Sequence, residues 1–224
     1  MTFSIVARCA ETGRFGLAIS SSSPAVAARC AFARAGVGAV ATQNVTNPEL
    51  GPIVLDLLAS GKSAEDALEA AIHGEAYPDY RQVLAVDGQG GTAIHSGGKA
   101  LGTWSSASGK DCAAGGNLLA DAGVPQAMVT GFEKAEGSLG DRLIAAMQAA
   151  LSLGGEAGPV HSAGMLIVDT QAWPYAELRI DWTEDCPIAA LATAWDVYKP
   201  QADDYVTRAL NPTAAPSYGV PGDE

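Results

Sequence analysis

Several features that define common functional classes are missing from this sequence of 224 residues. No apolar run approaches the roughly 20 residues that a membrane-spanning helix needs, and the start lacks a basic segment followed by an apolar one. There is no HExxH motif, no EF-hand loop and no GxGxxG segment after a strand, and the 3 histidines are too scattered to form a recognisable ligand set. We therefore expect a soluble protein with no metal, no other cofactor and no membrane partner.

Positive charge is also scarce. There are 13 Lys and Arg residues against 25 Asp and Glu, which gives a formal net charge of −12. The electric field of this net negative charge repels phosphate backbones, so we expect no nucleic-acid partner. Cys9, Cys30, Cys112 and Cys186 show no CxxC spacing and no dense secreted framework. They are interpreted as buried apolar thiols in a reducing compartment, which predicts a cytoplasmic protein.

The chain has enough apolar residues for one sizeable domain, since 48% of its residues are hydrophobic. We predict a single domain over 1–210, with no linker inside it. Residues 211–224 contain three prolines among small and polar residues, which predicts an extended or partly disordered tail. Apolar residues on several predicted helices favour a homodimer.

Hydrophobic periodicity predicts strands and helices in separate blocks. The chain opens with a predicted β-hairpin, Thr2–Arg8 and Phe15–Ser20. Further strands are predicted at 36–43, 83–86, 92–95, 111–114, 165–169 and 177–181. Helices are predicted at 47–61, 63–72, 125–135, 138–151 and 188–198, with Asn47, Ser63 and Ser138 as N-caps. This order indicates an α+β fold in which two sheets lie between helical layers.

Five stretches, taken in order, resemble an uncharacterised family known as domain of unknown function 1028. They are TFSIVARCAETGRFGLAIS, AGVGAVATQNVTNPELGPIVLDLLASGKSAEDAL, GGNLLA, HSAGMLIVD and AELRIDW. The element order also resembles the N-terminal nucleophile (Ntn) hydrolases. This resemblance implies a four-layer αββα sandwich with antiparallel sheets.

In the Ntn hydrolases, the first residue of the mature chain attacks an amide carbon while its own α-amino group takes the proton. The matching position here is Thr2, which removal of Met1 would expose. An α-amino group titrates near about 7.7 to 8.0, so it is partly basic at cellular pH without help from a histidine. The alternative is that Thr2 is only the first residue of a strand, where Thr is common.

Gly116-Asn117 is the candidate oxyanion site, because a backbone N–H or an Asn side chain can donate to a tetrahedral intermediate. It is equally interpretable as a turn. His161-Ser162-Ala163-Gly164 resembles the Ser-Gly region that supports the nucleophile in proteasome-type relatives, which makes Ser162 a candidate. Just before it, related sequences carry a basic, Gln-containing run, whereas this chain has Glu156–Val160.

Four more residues are candidate substrate contacts. Ser20 would line a pocket, since a nucleophilic serine there has no identifiable His or Lys partner. Gln43 and Asn44 form a polar rim suited to binding amides. Arg179 could pair with a substrate carboxylate, although an ion pair with a neighbouring acidic residue is favoured.

These residues predict a hydrolase that cleaves a carbon–nitrogen bond in a small-molecule amide, with Thr2 as nucleophile and Asn117 as a catalytic residue. Two alternatives stay open. One is a catalytically silent binding or scaffold protein with the Ntn fold, and the other is a hydrolase with an internal Ser or Cys nucleophile.

Overall fold

A computed structural model describes residues 2–222 of the chain. Its strands form a six-stranded and a four-stranded sheet, and every pairing within them is antiparallel. The larger sheet has the order β10-β9-β2-β1-β8-β7, and the smaller has the order β3-β4-β5-β6. The strands are β1 Thr2–Arg8, β2 Phe15–Ser21, β3 Ala31–Arg34, β4 Gly38–Asn44, β5 Arg81–Asp87, β6 Thr92–Ser96, β7 Ser105–Gly109, β8 Cys112–Asn117, β9 Ser162–Val168 and β10 Ala176–Ile180.

Seven α-helices in the described residues accompany the sheets. They are α1 Ala27–Cys30, α2 Leu50–Ala59, α3 Ala64–His73, α4 Val124–Lys134, α5 Leu139–Ser152, α6 Pro187–Tyr198 and α7 Ala202–Leu210. None of them is long and apolar enough to cross a bilayer.

The buried side chains form three layers, which define the stacking order. Residues such as Val40, Val54 and Leu68 fill the space between the smaller sheet and helices α2 and α3. The space between the two sheets holds a second cluster that includes Leu17 and Leu84. A third cluster lies between the larger sheet and helices α4, α5 and α6. The molecule is therefore an αββα sandwich, which confirms the predicted fold class.

The predicted hairpin and the helices capped by Ser63 and Ser138 are present, and each of these serines accepts a hydrogen bond from the backbone of the third helical residue. The predicted strand at 111–114 is β8 and continues to Asn117. The sequence analysis did not predict α1, β3, β7 or α7. Strand β7 has the sequence SSASG, which carries no apolar alternation, and β3 and α1 are only four residues long each.

Candidate functional site around Thr2

Thr2 begins β1, a central strand flanked by β2 and β8. Side chains alternate along a strand, so Thr2 shares a face with Ser4 and Val6. Ser4 bonds to Gln43 of the smaller sheet and Val6 belongs to the cluster between the sheets, so this face points into the inter-sheet space. The side chain of Thr2 lies at the end of that space and is only 6% exposed.

The Thr2 hydroxyl belongs to a chain of hydroxyl groups. Its Oγ1 donates to Ser21 Oγ at 3.3 Å, and Ser21 Oγ lies 2.8 Å from Ser23 Oγ. Arg29 Nη2 donates to Ser23 Oγ at 2.7 Å, which places a fixed positive charge at the far end. A positive charge polarises the hydroxyls that lead away from it, so the arrangement favours negative charge on the oxygens nearest Arg29.

Asn117 is the cross-strand partner of Thr2 and is fully buried. Its Nδ2 donates to Gln82 Oε1 at 3.2 Å, and Gln82 Oε1 also accepts from Gln43 Nε2 at 2.8 Å. Ser4 Oγ donates to Gln43 Oε1 at 2.7 Å and completes a buried network across the two sheets. This network fixes the orientation of the Asn117 amide.

The orientation matters because Asn117 Oδ1 is a buried acceptor without a hydrogen-bond partner in the structure. An unsatisfied buried polar atom costs about 1 to 3 kcal/mol, so such an atom points to a missing donor. The sequence analysis predicted Asn117 as a donor to an oxyanion. One N–H of Nδ2 is donated to Gln82, and an amide nitrogen carries a second N–H, so the oxyanion role of Asn117 stays a prediction.

Glu156 brings a carboxyl group to the same end of the sheet. The Ser22 N–H donates to both of its carboxyl oxygens at 3.2 Å, and Ser22 follows the Ser21 that contacts Thr2. Glu156 is 3% exposed, and no Lys or Arg within residues 2–222 forms an ion pair with it. Burial raises the pKa of Glu156 to about 7, against the opposing effects of the Ser22 hydrogen bonds and the nearby His161.

Of the other predicted substrate contacts, only Gln43 lies in the network that reaches Asn117. Ser20 lies on the opposite face of β2 from Ser21, and its hydroxyl donates to the Ser162 carbonyl at 2.9 Å. Ser162 Oγ donates to the Ser23 carbonyl at 2.6 Å and so holds the loop that carries Ser23.

Asn44 and Arg179 are hydrogen-bonded to other residues. Asn44 Nδ2 donates to the Tyr80 carbonyl at 2.7 Å, which ties β4 to a neighbouring loop. Arg179 forms an ion pair with Asp181 at 2.9 Å, which is the alternative to binding a substrate carboxylate. It lies on β10, three strands from β1, or about 14 Å at the usual strand spacing.

The cysteines match the sequence prediction only in part. Cys30 and Cys112 are buried, and burial raises the pKa of the Cys112 thiol to about 12. Cys9 is half-buried, however, and Cys186 is exposed. Cys186 directly precedes α6 in a surface loop, which explains why its type gave a wrong prediction of burial. Within residues 2–222, no cluster of three or more His, Cys, Asp or Glu side chains is arranged to hold a metal ion.

Two large surface grooves lie elsewhere. One, of about 640 Å³, is lined by Phe32, Leu55 and Trp173 among others. The other, of about 620 Å³, lies at the far end of β1 and contains charged residues such as Arg8, Glu133 and Arg142. Neither includes Thr2, so groove size does not identify the site. The Thr2 cluster stands out through its buried polar groups instead.

The sequence analysis missed Ser21, Gln82, Glu156 and Arg29 as members of this cluster. Ser21 was within reach of the strand pattern, since its alternation with Leu17 and Ile19 places it on the Thr2 side of the sheet. Glu156 was noted only as a departure from related sequences. Its approach to Ser22 depends on the pairing of Leu119 with Glu156, which no local sequence pattern predicts.

The fold and this cluster define a class: an α+β sandwich with a buried threonine hydroxyl at the start of a central strand. A family model described as "Family of unknown function (DUF1028)" matches residues 2–191. The chain therefore belongs to that family.

The crystal structure of a DUF1028 protein from Silicibacter pomeroyi is 31% identical, with a TM-score of 0.82 over 88% of this chain and 89% of that one. Anbu, an ancestral β-subunit from Yersinia bercovieri, is 12% identical, with a TM-score of 0.38 over 92% of this chain and 97% of that one, which is too low to support a conclusion. No match was found among curated proteins.

Proposed function

We propose that this protein hydrolyses a carbon–nitrogen bond in a small amide, with Thr2 as nucleophile after cleavage of the chain ahead of it. The supporting observation is the Thr2 hydroxyl, which lies buried at a sheet end and is hydrogen-bonded to Ser21 in a chain of hydroxyls that ends at Arg29. Met1 lies outside the described residues, so its removal is part of the proposal.

In the proposed reaction, Thr2 supplies both the nucleophile and the base. Thr2 Oγ1 forms a bond to the carbonyl carbon, and its proton passes to the α-amino group, directly or through water. That proton then goes to the leaving amine as the carbon–nitrogen bond breaks. Water hydrolyses the resulting ester and regenerates Thr2.

Three variants test this proposal by comparison with a chain shown by intact mass to begin at Thr2. Thr2→Ala is expected to abolish hydrolysis of a small-amide library, and Thr2→Ser to keep part of it. An added residue before Thr2 is expected to silence the enzyme as fully as the Ala change, because the basic amine becomes an amide. Activity should rise with pH as the amine loses its proton, with an apparent pKa near about 7 to 8 for an amine that has no charged partner.

Thr12→Ala is the matched control, since Thr12 lies in the exposed turn at the other end of the same hairpin. It should leave both fold and turnover unchanged. Full activity in a chain that retains Met1 would reject the N-terminal mechanism. Labelling of an internal residue by a serine- or thiol-reactive probe would then favour the alternative nucleophile.

A further inference from the structure

The end of the inter-sheet space holds one buried acceptor without a hydrogen-bond partner and one buried carboxyl without a Lys or Arg partner in the described residues. One is Asn117 Oδ1, which is fully buried and has no partner in the structure. The other is the Glu156 carboxyl, which is held by the Ser22 N–H and has no Lys or Arg partner in the described part of the chain. Two buried acceptors of this kind call for a donor that carries positive charge.

Both acceptors lie next to the first residue of β1. Asn117 is the cross-strand partner of Thr2, and such partners on one face have Cβ atoms about 4.5 to 5.5 Å apart. On the other side, Glu156 binds the backbone of Ser22, and the preceding Ser21 contacts the Thr2 side chain. Asn117 on β8 and Ser22, which follows β2 and binds Glu156, therefore flank Thr2 on its two sides.

We propose that Glu156 and Asn117 together hold the α-amino group of Thr2 once the chain has been cleaved ahead of it. Glu156 supplies the negative charge and Asn117 Oδ1 supplies a neutral acceptor. Both act as positioning residues, because they orient the α-amino group and leave the Thr2 hydroxyl beside Ser21. This inference rests on the proposed freeing of the Thr2 amine.

The pairing has a defined effect on protonation. A carboxylate beside the ammonium group stabilises its charged form, so it raises the pKa of the amine and lowers that of the carboxyl. The pair then titrates as a coupled unit. His161, a titratable group on a neighbouring segment, also lowers the pKa of Glu156.

The first test measures the amine in a chain that begins at Thr2. The rate of acetylation of the α-amine by acetic anhydride is followed against pH, with mass spectrometry of the N-terminal peptide as readout. Glu156→Gln is expected to lower the pKa of the amine by about 1 unit or more, while the Gln oxygen can still accept from Ser22. Asn117→Leu is expected to lower it by a smaller amount.

Glu184→Gln is the matched control, because it removes the same charge from an exposed carboxyl on the surface near His161. It should leave the pKa of the Thr2 amine unchanged. An unchanged amine pKa in folded Glu156→Gln would overturn the proposal, and an unchanged value in Asn117→Leu would overturn the part assigned to Asn117.

A second test needs no substitution and so does not depend on a variant folding. Carbon-13 NMR of the Glu156 carboxyl is recorded for the chain that begins at Thr2 and for the same chain acetylated at Thr2. The pKa of Glu156 is expected to be lower when the amine is free, and identical titrations would overturn the pairing. Neither test uses turnover, so the amine can prove to be held even where no amide is hydrolysed, and the two proposals fail separately.

Discussion

At the scale of single residues, the sequence supplied two members of the site by different routes. Thr2 was selected through the resemblance to the Ntn hydrolases and Gln43 as part of a polar rim, and both lie on the inter-sheet faces of their strands. Alternation applied to the serine run would also have separated Ser20 from Ser21. The contact between Glu156 and Ser22 could not be predicted this way, because the two residues are 134 positions apart and meet only through the fold.

Glu156 makes stability depend on pH in a direction opposite to that of most carboxyl groups. Its pKa is raised from 4.5 to about 7 by burial, so the folded state binds the extra proton. Its contribution to the free energy of unfolding is therefore complete below about pH 4.5 and is lost as pH rises through 7. We expect Glu156→Gln to gain up to ~3 kcal/mol relative to wild type between pH 4.5 and 8.

Urea unfolding at several pH values measures this difference. A chain extended before Thr2 should be used, since it has no free amine at that position. Glu184→Gln should follow the wild-type curve throughout. If the free energies of unfolding of Glu156→Gln and of the wild type change with pH in the same way, the Glu156 carboxyl has an ordinary pKa in the folded protein.

At the scale of secondary-structure elements, the start of α5 links two helices. Ser138 and Asp141 form a capping box, and Asp141 also accepts from Trp195 Nε1 at 3.0 Å and Lys199 Nζ at 2.8 Å. Gly140 allows this close approach, because a Cβ there would lie only 2.4 Å from the Trp195 ring. The Ser138 cap was predictable from its spacing, whereas the contact with Trp195 required the fold.

Asp141→Asn is expected to lower the free energy of unfolding by about 2 kcal/mol at pH 7, because it weakens a cap and a charged hydrogen bond together. Although burial opposes it, hydrogen bonding by Lys199, Ser138 and Trp195 lowers the pKa of Asp141 to about 2. The stabilisation is therefore present above about pH 3.8 and is lost as pH falls through 2.

Asp66→Asn provides the comparison in α3. Asp66 exchanges two hydrogen bonds with the side chain of its N-cap serine, Ser63, but lacks the backbone contact of a capping box, and both residues are exposed. Its loss should cost less than about 1 kcal/mol in the same urea titration. Equal losses for the two variants would show that the link to α6 contributes nothing.

At the scale of the whole molecule, the core extends beyond the part of the chain that the family model matches. That match ends at residue 191, yet Trp195 and Ala202 are buried in the helix-side core of the larger sheet. The Tyr175 hydroxyl also reaches Asp203 at 2.9 Å. The four layers followed from blocks of periodicity, but the short helix α7 was not predicted, since Lys199-Pro200 interrupts the pattern before it.

Two deletions locate the end of the domain. Removal of residues 211–224 is expected to change the free energy of unfolding by less than about 1 kcal/mol, because residues 211–222 are largely exposed. Removal of 193–224 also takes away the buried Trp195 ring and should cost at least about 3 kcal/mol. Thermal unfolding of both chains measures the difference, and similar melting temperatures would place the domain boundary before residue 193, within α6.

The central position of β1 also sets an order of events during synthesis. Thr2 lies between β2 and β8, and its partner Asn117 is made 115 residues later. At about 5 to 20 residues per second, the strand that closes over Thr2 is completed roughly 6 to 23 seconds after Thr2 itself. The cleavage proposed ahead of Thr2 can therefore take place on the ribosome, before the sheet is complete. In a chain that folds uncleaved, the peptide bond to be cleaved would lie beside a buried residue.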